Sequence, residues 1–210
     1  MRTLDLSLYL VLDPVLCGGQ DGMVKTAIAA AENGATIMQL RAEAMEKRAW
    51  YEAGLALKEA LRPYEIPLIV NDHIDVALAI DADGVHIGQK DLPAEIVRSM
   101  IGRTKWLGLS VSNSEQLEAV PDVLDYLGIG PVYPTQSKRN APPAIGLGTL
   151  AELTQNKCQP AVGIGGITAA TVSDVLQCGV EGVAVVSAIC GQPFPAQATK
   201  ALRDEVDNVQ

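Results

Sequence analysis

Short apolar runs alternate along this chain with longer segments whose apolar residues recur at helical spacing. Leu8 to Leu12 ends at Asp13-Pro14 and predicts a first strand. Met23 to Glu32 has helical periodicity and stops at Asn33-Gly34, an expected helix exit. A second strand over Ala35 to Leu40 precedes an amphipathic helix from Met45 to Leu61, ended by Pro63. Further on, Leu68 to Val70 and Val85 to Ile87 read as strands three and four around a short helix, Ile74 to Ile80. Pro93 opens a helix reaching Met100, at a position where proline suits a first turn. Strands are then expected at Trp106 to Val111, Tyr126 to Ile129, Ala161 to Ile164 and Val183 to Val186. The helices between and after them fall at Ser114 to Val120, Thr149 to Thr154, Thr168 to Cys178 and Pro195 to Val206. Thr168 is placed to start its helix and Gly179 to close it.

Eight strands alternating with eight helices, with no linker between them, predict an α/β protein: a (β/α)₈ TIM barrel occupying 1–210 as one domain. An open doubly wound sheet uses the same alternation and is the alternative, although it seldom has eight regular units in so short a chain. In a barrel, functional side chains gather on the loops that follow the strands.

The stretch Pro67 to Pro93 shows what that implies. Asp72 follows strand three and Asp91 follows strand four, so two carboxylates emerge from parallel neighbours about 4.8 Å apart. With a nearby amide they make an oxygen-rich spot suited to Mg²⁺, which commonly takes its remaining ligands from water and a substrate phosphate. Asp72 taken singly serves equally well as a cap for the Ile74 helix.

The other exits supply Gln39 and Arg41, Asn71, Gln89, Ser110, and then Thr135, Ser137 and Lys138 in the Pro131 to Pro143 loop. Gly165 and Gly166 follow strand seven and Ser187 follows strand eight, where barrels commonly cradle a phosphate on backbone N–H groups. Lys138 and Arg139 add positive charge, which reads as a solvated loop alone and as an anion clamp in this company. Two phosphate-bearing ligands are expected, one near strands two to four and one at strands seven and eight. His86 lies mid-strand and is expected to be packed or hydrogen-bonded, and no Ser-His-Asp or Cys-His spacing is found.

Composition narrows the partners. A formal charge of −9 argues against nucleic acid as a general partner, since that needs a basic stripe. No apolar run reaches the roughly 20 residues needed to span a bilayer. The N-terminus lacks a secretory pattern, and four scattered cysteines without CxxC suit a reducing compartment, so a cytoplasmic location is expected. A homo-oligomer is compatible with the sequence but not specified by it.

The segments YLVLD, ATIMQLR, PLIVNDHIDVALAIDADGVHIGQKDLP, LGLSVS, DYLGIGPVYPTQSK, VGIGGIT and GVAVVSAI, in this order, resemble the thiamine phosphate synthase family over nearly the whole chain. The resemblance implies a transferase joining a hydroxymethylpyrimidine diphosphate to a thiazole phosphate, with release of diphosphate and use of Mg²⁺. It implies that Gln39, Arg41, Asn71, Ser110 and Lys138 contact the pyrimidine diphosphate, with Arg41 and Lys138 stabilising the departing diphosphate. Asp72 and Asp91 would ligate Mg²⁺; Thr135, Gln136, Ser137, Gly166, Val186 and Ser187 would hold the thiazole phosphate.

One departure stands out: the run QLRAEA puts Glu43 where the family usually has a diphosphate-gripping lysine, with Lys47 and Arg48 one helical turn further on as possible compensation. Two other readings differ in class. A thiazole tautomerase would use a histidine shortly after strand five, where this chain has Ser112. A catalytically silent barrel would bind the same precursors without turnover.

Overall fold

Eight parallel strands pair in chain order and close, β1 with β8, into a barrel in the computed structural model, which describes residues 4–42, 45–137 and 141–209. The strands are β1 Leu8–Leu12, β2 Ile37–Leu40, β3 Leu68–Asn71, β4 Gly84–Ile87, β5 Trp106–Val111, β6 Tyr126–Ile129, β7 Ala161–Ile164 and β8 Gly182–Val185. The helices are α1 Gln20–Glu32, α2 Lys47–Leu61, α3 Ile74–Ala79, α4 Ala94–Ile101, α5 Ser114–Glu118, α6 Gly146–Asn156, α7 Val172–Leu176 and α8 Pro195–Asp207. Closure removes the open-sheet alternative.

Strand parity separates two apolar layers. Leu8, Leu10, Leu12, Met38, Leu40, Leu68 and Val70 face outward into one cluster with helix residues such as Met23, Trp50 and Leu57. Tyr9, Val11, Ile37, Ile69, Tyr126, Val162 and Ala184 form a second cluster that fills the barrel interior. Each fully buried Leu or Ile contributes about 1.5–3 kcal/mol, so the outer layer carries most of the hydrophobic stabilisation.

The same parity decides what lines the mouth. Gln39, Asn71, His86 and Ser110 share the inward face with Ile37, Ile69, Gly84 and Gly108 by two-residue spacing along their strands. At these positions the interior changes from apolar to polar.

Several elements differ from the sequence expectation. The helix expected over Thr149 to Thr154 starts earlier, at Gly146, because the Ile145 and Gly146 N–H groups are held by the Pro131 and Val132 carbonyls. The expected Thr168 to Cys178 helix is split into a 3₁₀ turn, Ala169–Thr171, and α7. There the Thr168 N–H donates to Thr171 Oγ1 at 3.0 Å. Val186 lies just beyond β8, where its carbonyl accepts from Ile189 and Cys190 and starts a turn.

Candidate active site

The strand exits converge on one mouth. On its first side, the Asp72 N–H donates to the His86 carbonyl at 2.9 Å, which ties the end of β3 to β4. Asp72 itself has a positive φ of 57°, a left-handed conformation uncommon outside glycine. The capping position of α3 is His73 rather than Asp72, and it makes no side-chain capping bond. Past β4, Asp91 Oδ2 accepts the Gly88 N–H at 2.7 Å, so one carboxylate oxygen folds the loop back on itself. Gln89 Nε2 donates to the Ser110 carbonyl at 2.8 Å and ties that loop to β5.

Arg41 is only 8% exposed, and Nη1 donates to the Ser137 carbonyl at 3.0 Å. That bond spans the mouth from the end of β2 to the loop after β6. The Arg41 guanidinium, held by that bond, lies between the two halves of the mouth. Within the β6 loop, Thr135 Oγ1 accepts the Ser137 N–H at 3.2 Å, which leaves Gln136 exposed at the tip. Lys138 and Glu43 lie outside the described residues.

The second side is built on close backbone approach. Gly165 and Gly166 have φ of 99° and 66°, and a Cβ on Gly166 would stand 2.7 Å from Pro134 O and Tyr133 Cβ. The Val132 and Tyr133 N–H groups donate to the Ile164 and Gly165 carbonyls at 2.8 and 3.0 Å, fastening the β6 loop to the β7 exit. Among the described residues, nothing accepts the Gly166 or Ser187 N–H, so both donors remain available beside the exposed Ser187. Gln192 Nε2 holds the Ser187 carbonyl at 2.8 Å.

The structure therefore brings Gln39, Arg41, Asn71, Asp72, Asp91, Ser110, Thr135, Gln136, Ser137, Gly166, Val186 and Ser187 to one end of the barrel. Of the two cations one helical turn beyond the QLRAEA run, Lys47 pairs with Asp75, and Arg48 with Glu52 at 3.0 Å. The Lys47 ammonium also holds the Asp75 carboxyl below its usual range. Ser112, at the tautomerase position, is occupied with Gln116 Oε1, which accepts its hydroxyl at 3.0 Å and its N–H at 2.8 Å.

Sequence reasoning missed the layer beneath the mouth. Gln39 Nε2 donates to the Tyr9 hydroxyl at 2.7 Å, and the Tyr9 and Tyr126 hydroxyls lie 2.9 Å apart. His86 then joins Tyr126 through Nδ1 at 3.1 Å and Ser110 Oγ through Nε2 at 2.9 Å. Burial pushes both phenols up, so they stay protonated near neutrality. His86 is hydrogen-bonded and buried, in line with its sequence reading.

The closed parallel barrel with a polar mouth and a glycine turn after β7 defines a (β/α)₈-barrel enzyme of the phosphate-handling kind. A family profile described as thiamine monophosphate synthase matches residues 8–189, and the chain belongs to that family. It is 50% identical over 201 residues to the thiamine-phosphate synthase of Laribacter hongkongensis (strain HLHK9), covering 96% of this chain and 95% of the relative. The thiamine-phosphate synthase of Desulfitobacterium hafniense (strain Y51) is 47% identical over 201 residues, covering 95% and 97%. Among solved structures, thiamine phosphate pyrophosphorylase from Pyrococcus furiosus superposes with a TM-score of 0.87 at 35% identity, covering 98% of each chain.

Proposed function

We propose that this chain condenses hydroxymethylpyrimidine diphosphate with a thiazole phosphate to give thiamine phosphate and diphosphate. The observation that carries the reading is the bond from Arg41 Nη1 to the Ser137 carbonyl, 3.0 Å long, which joins the two halves of the mouth around one buried cation. One half suits a diphosphate: Arg41, with Gln39, Asn71, Ser110 and Lys138, would bind the pyrimidine substrate. The other half suits a monophosphate: Gly166, Val186 and Ser187, with Thr135, Gln136 and Ser137, would hold the thiazole substrate.

Asp72 and Asp91 fit a Mg²⁺ site by their chemistry, two hard oxygen donors at the ends of adjacent strands. Mg²⁺ commonly takes one or two carboxylates and completes its shell with water and substrate phosphate. When bound, the ion would neutralise charge on the diphosphate leaving group.

In the reaction the pyrimidine CH₂–O bond breaks, diphosphate leaves with the electron pair, and the thiazole nitrogen forms the new C–N bond. Arg41 and Lys138 would stabilise the departing negative charge, an electrostatic role that grows as the bond breaks. The glycine turn would fix the nucleophile through its phosphate, so that binding energy is converted into alignment. No general base is required, which suits a site without an activated histidine. We assign this chain to the cytoplasm, a reducing compartment that suits its four free cysteines; no helix among the described residues is long and apolar enough to cross a membrane.

Purified protein supplied with both substrates and Mg²⁺ should release diphosphate only when both are present. Diphosphate release without the thiazole phosphate, or none at saturating substrates, would sink the proposal. The second outcome would favour the silent binding barrel.

A further inference from the structure

The buried chain Gln39–Tyr9–Tyr126–His86–Ser110 crosses the barrel from β2 to β5 through four hydrogen bonds of 2.7 to 3.1 Å. Space for it is built in: a Cβ on Gly108 would stand 2.2 Å from Tyr126 and 2.5 Å from His86, and one on Gly128 3.2 Å from His86.

Proton bookkeeping gives the chain a direction. Gln39 Nε2 can only donate, so the Tyr9 oxygen accepts there. Tyr9 is 1% exposed, and among the described residues its only other hydrogen-bond neighbour is the Tyr126 hydroxyl, which must receive its proton. The opposite order would strand a buried O–H, the costly case. Tyr126 then gives its proton to His86 Nδ1, which leaves His86 protonated on Nε2 and donating to Ser110 Oγ. The Ser110 proton and Gln39 Oε1 meet no partner among the described residues and face the mouth.

We infer that Tyr9, Tyr126 and His86 are positioning residues that act as a one-way relay, fixing Ser110 as a hydrogen-bond donor and Gln39 Oε1 as an acceptor toward the pyrimidine substrate. This pair complements an aminopyrimidine, which offers N–H donors beside acceptor atoms. The inference rests on the proposed function for the identity of its ligand, but the relay's direction is a property of the free protein.

The test reads the His86 tautomer by ¹⁵N NMR of ligand-free protein. The chain has only two histidines, and a His73→Gln background isolates the signal. The wild-type ring should be the Nε2–H form. Gln39→Glu, measured above the titration of the introduced carboxylate, can only accept, so every bond reverses and His86 should become the Nδ1–H form three hydrogen bonds away. Gln39→Leu should leave the wild-type tautomer, and adding Tyr126→Phe to Gln39→Glu should uncouple the switch. In turnover, Tyr126→Phe should raise KM for the pyrimidine diphosphate roughly five- to tenfold, the scale of one oriented neutral hydrogen bond, with KM for the thiazole phosphate unchanged. A wild-type Nδ1–H or imidazolium ring would overturn the relay. So would a tautomer indifferent to Gln39→Glu, or two KM values rising together. If wild-type protein turns over neither substrate, the functional reading falls while the tautomer measurements still decide the relay.

Discussion

Asp91 has a structural tie in the loop after β4 besides the metal-binding role proposed for it. One carboxylate oxygen accepts the Gly88 N–H at 2.7 Å, which holds the β4 loop in place; the proposed Mg²⁺ site would use the other. Asp91→Asn keeps an acceptor for Gly88 but removes the negative charge. It should preserve the melting temperature and weaken Mg²⁺ activation of diphosphate release by roughly 100-fold or more, since even outer partners of a metal cost about 10–100-fold. Asp91→Ala should lose the loop bond as well. Wild-type Mg²⁺ dependence in Asp91→Asn would remove Asp91 from the metal site. Asp91 stood out in the sequence as a candidate because an exposed acid at a strand exit is conspicuous. The tie to Gly88 was not, since it depends on how the loop curls back.

Among the elements, Arg98 joins α4 to the segments that lead into β5 and β6. Its guanidinium donates to the Val123, Gly102 and Lys105 carbonyls at 2.7 to 3.0 Å and to Asp125 Oδ2 at 2.5 Å. Arg98→Ala would leave these acceptors poorly paired in a site only 15% exposed at the arginine. The expected loss is about 3 kcal/mol, or a melting temperature lower by roughly 6–12 °C for a chain of this size. Calorimetry checks this, and a shift under 2 °C would show that water replaces the arginine without cost. Element order was legible because buried parallel strands are continuous apolar runs between helical segments. The same continuity concealed strand parity: LYLVL is apolar throughout, so nothing in it tells that Tyr9 points inward while Leu8 and Leu10 point out. Only Gln39, Asn71, His86 and Ser110 exposed the inward register, and the tyrosines linking them had to be seen in three dimensions. Helix ends also slipped where tertiary hydrogen bonds, such as those on Ile145 and Gly146, override local turn signals.

For the whole molecule, closure of the barrel turns residues scattered over the chain into one mouth with two unlike halves. Arg41 is held by a loop 96 positions away, so no local pattern could reveal that the β2 exit and the loop after β6 touch. The division of labour between these halves is the central claim, and crossed Michaelis constants test it most directly. Arg41→Lys loses the planar fork and the tether to Ser137. It should raise KM for the pyrimidine diphosphate by roughly tenfold or more, the value of a charge-assisted bond, and alter the thiazole KM much less. Gly166→Ala meets Tyr133 and Pro134 at a positive φ and should do the reverse, displacing the phosphate turn without touching the diphosphate station. Opposite KM shifts in the two variants are the predicted result. Equal shifts of both constants in each variant would contradict a mouth divided between two phosphate-bearing substrates.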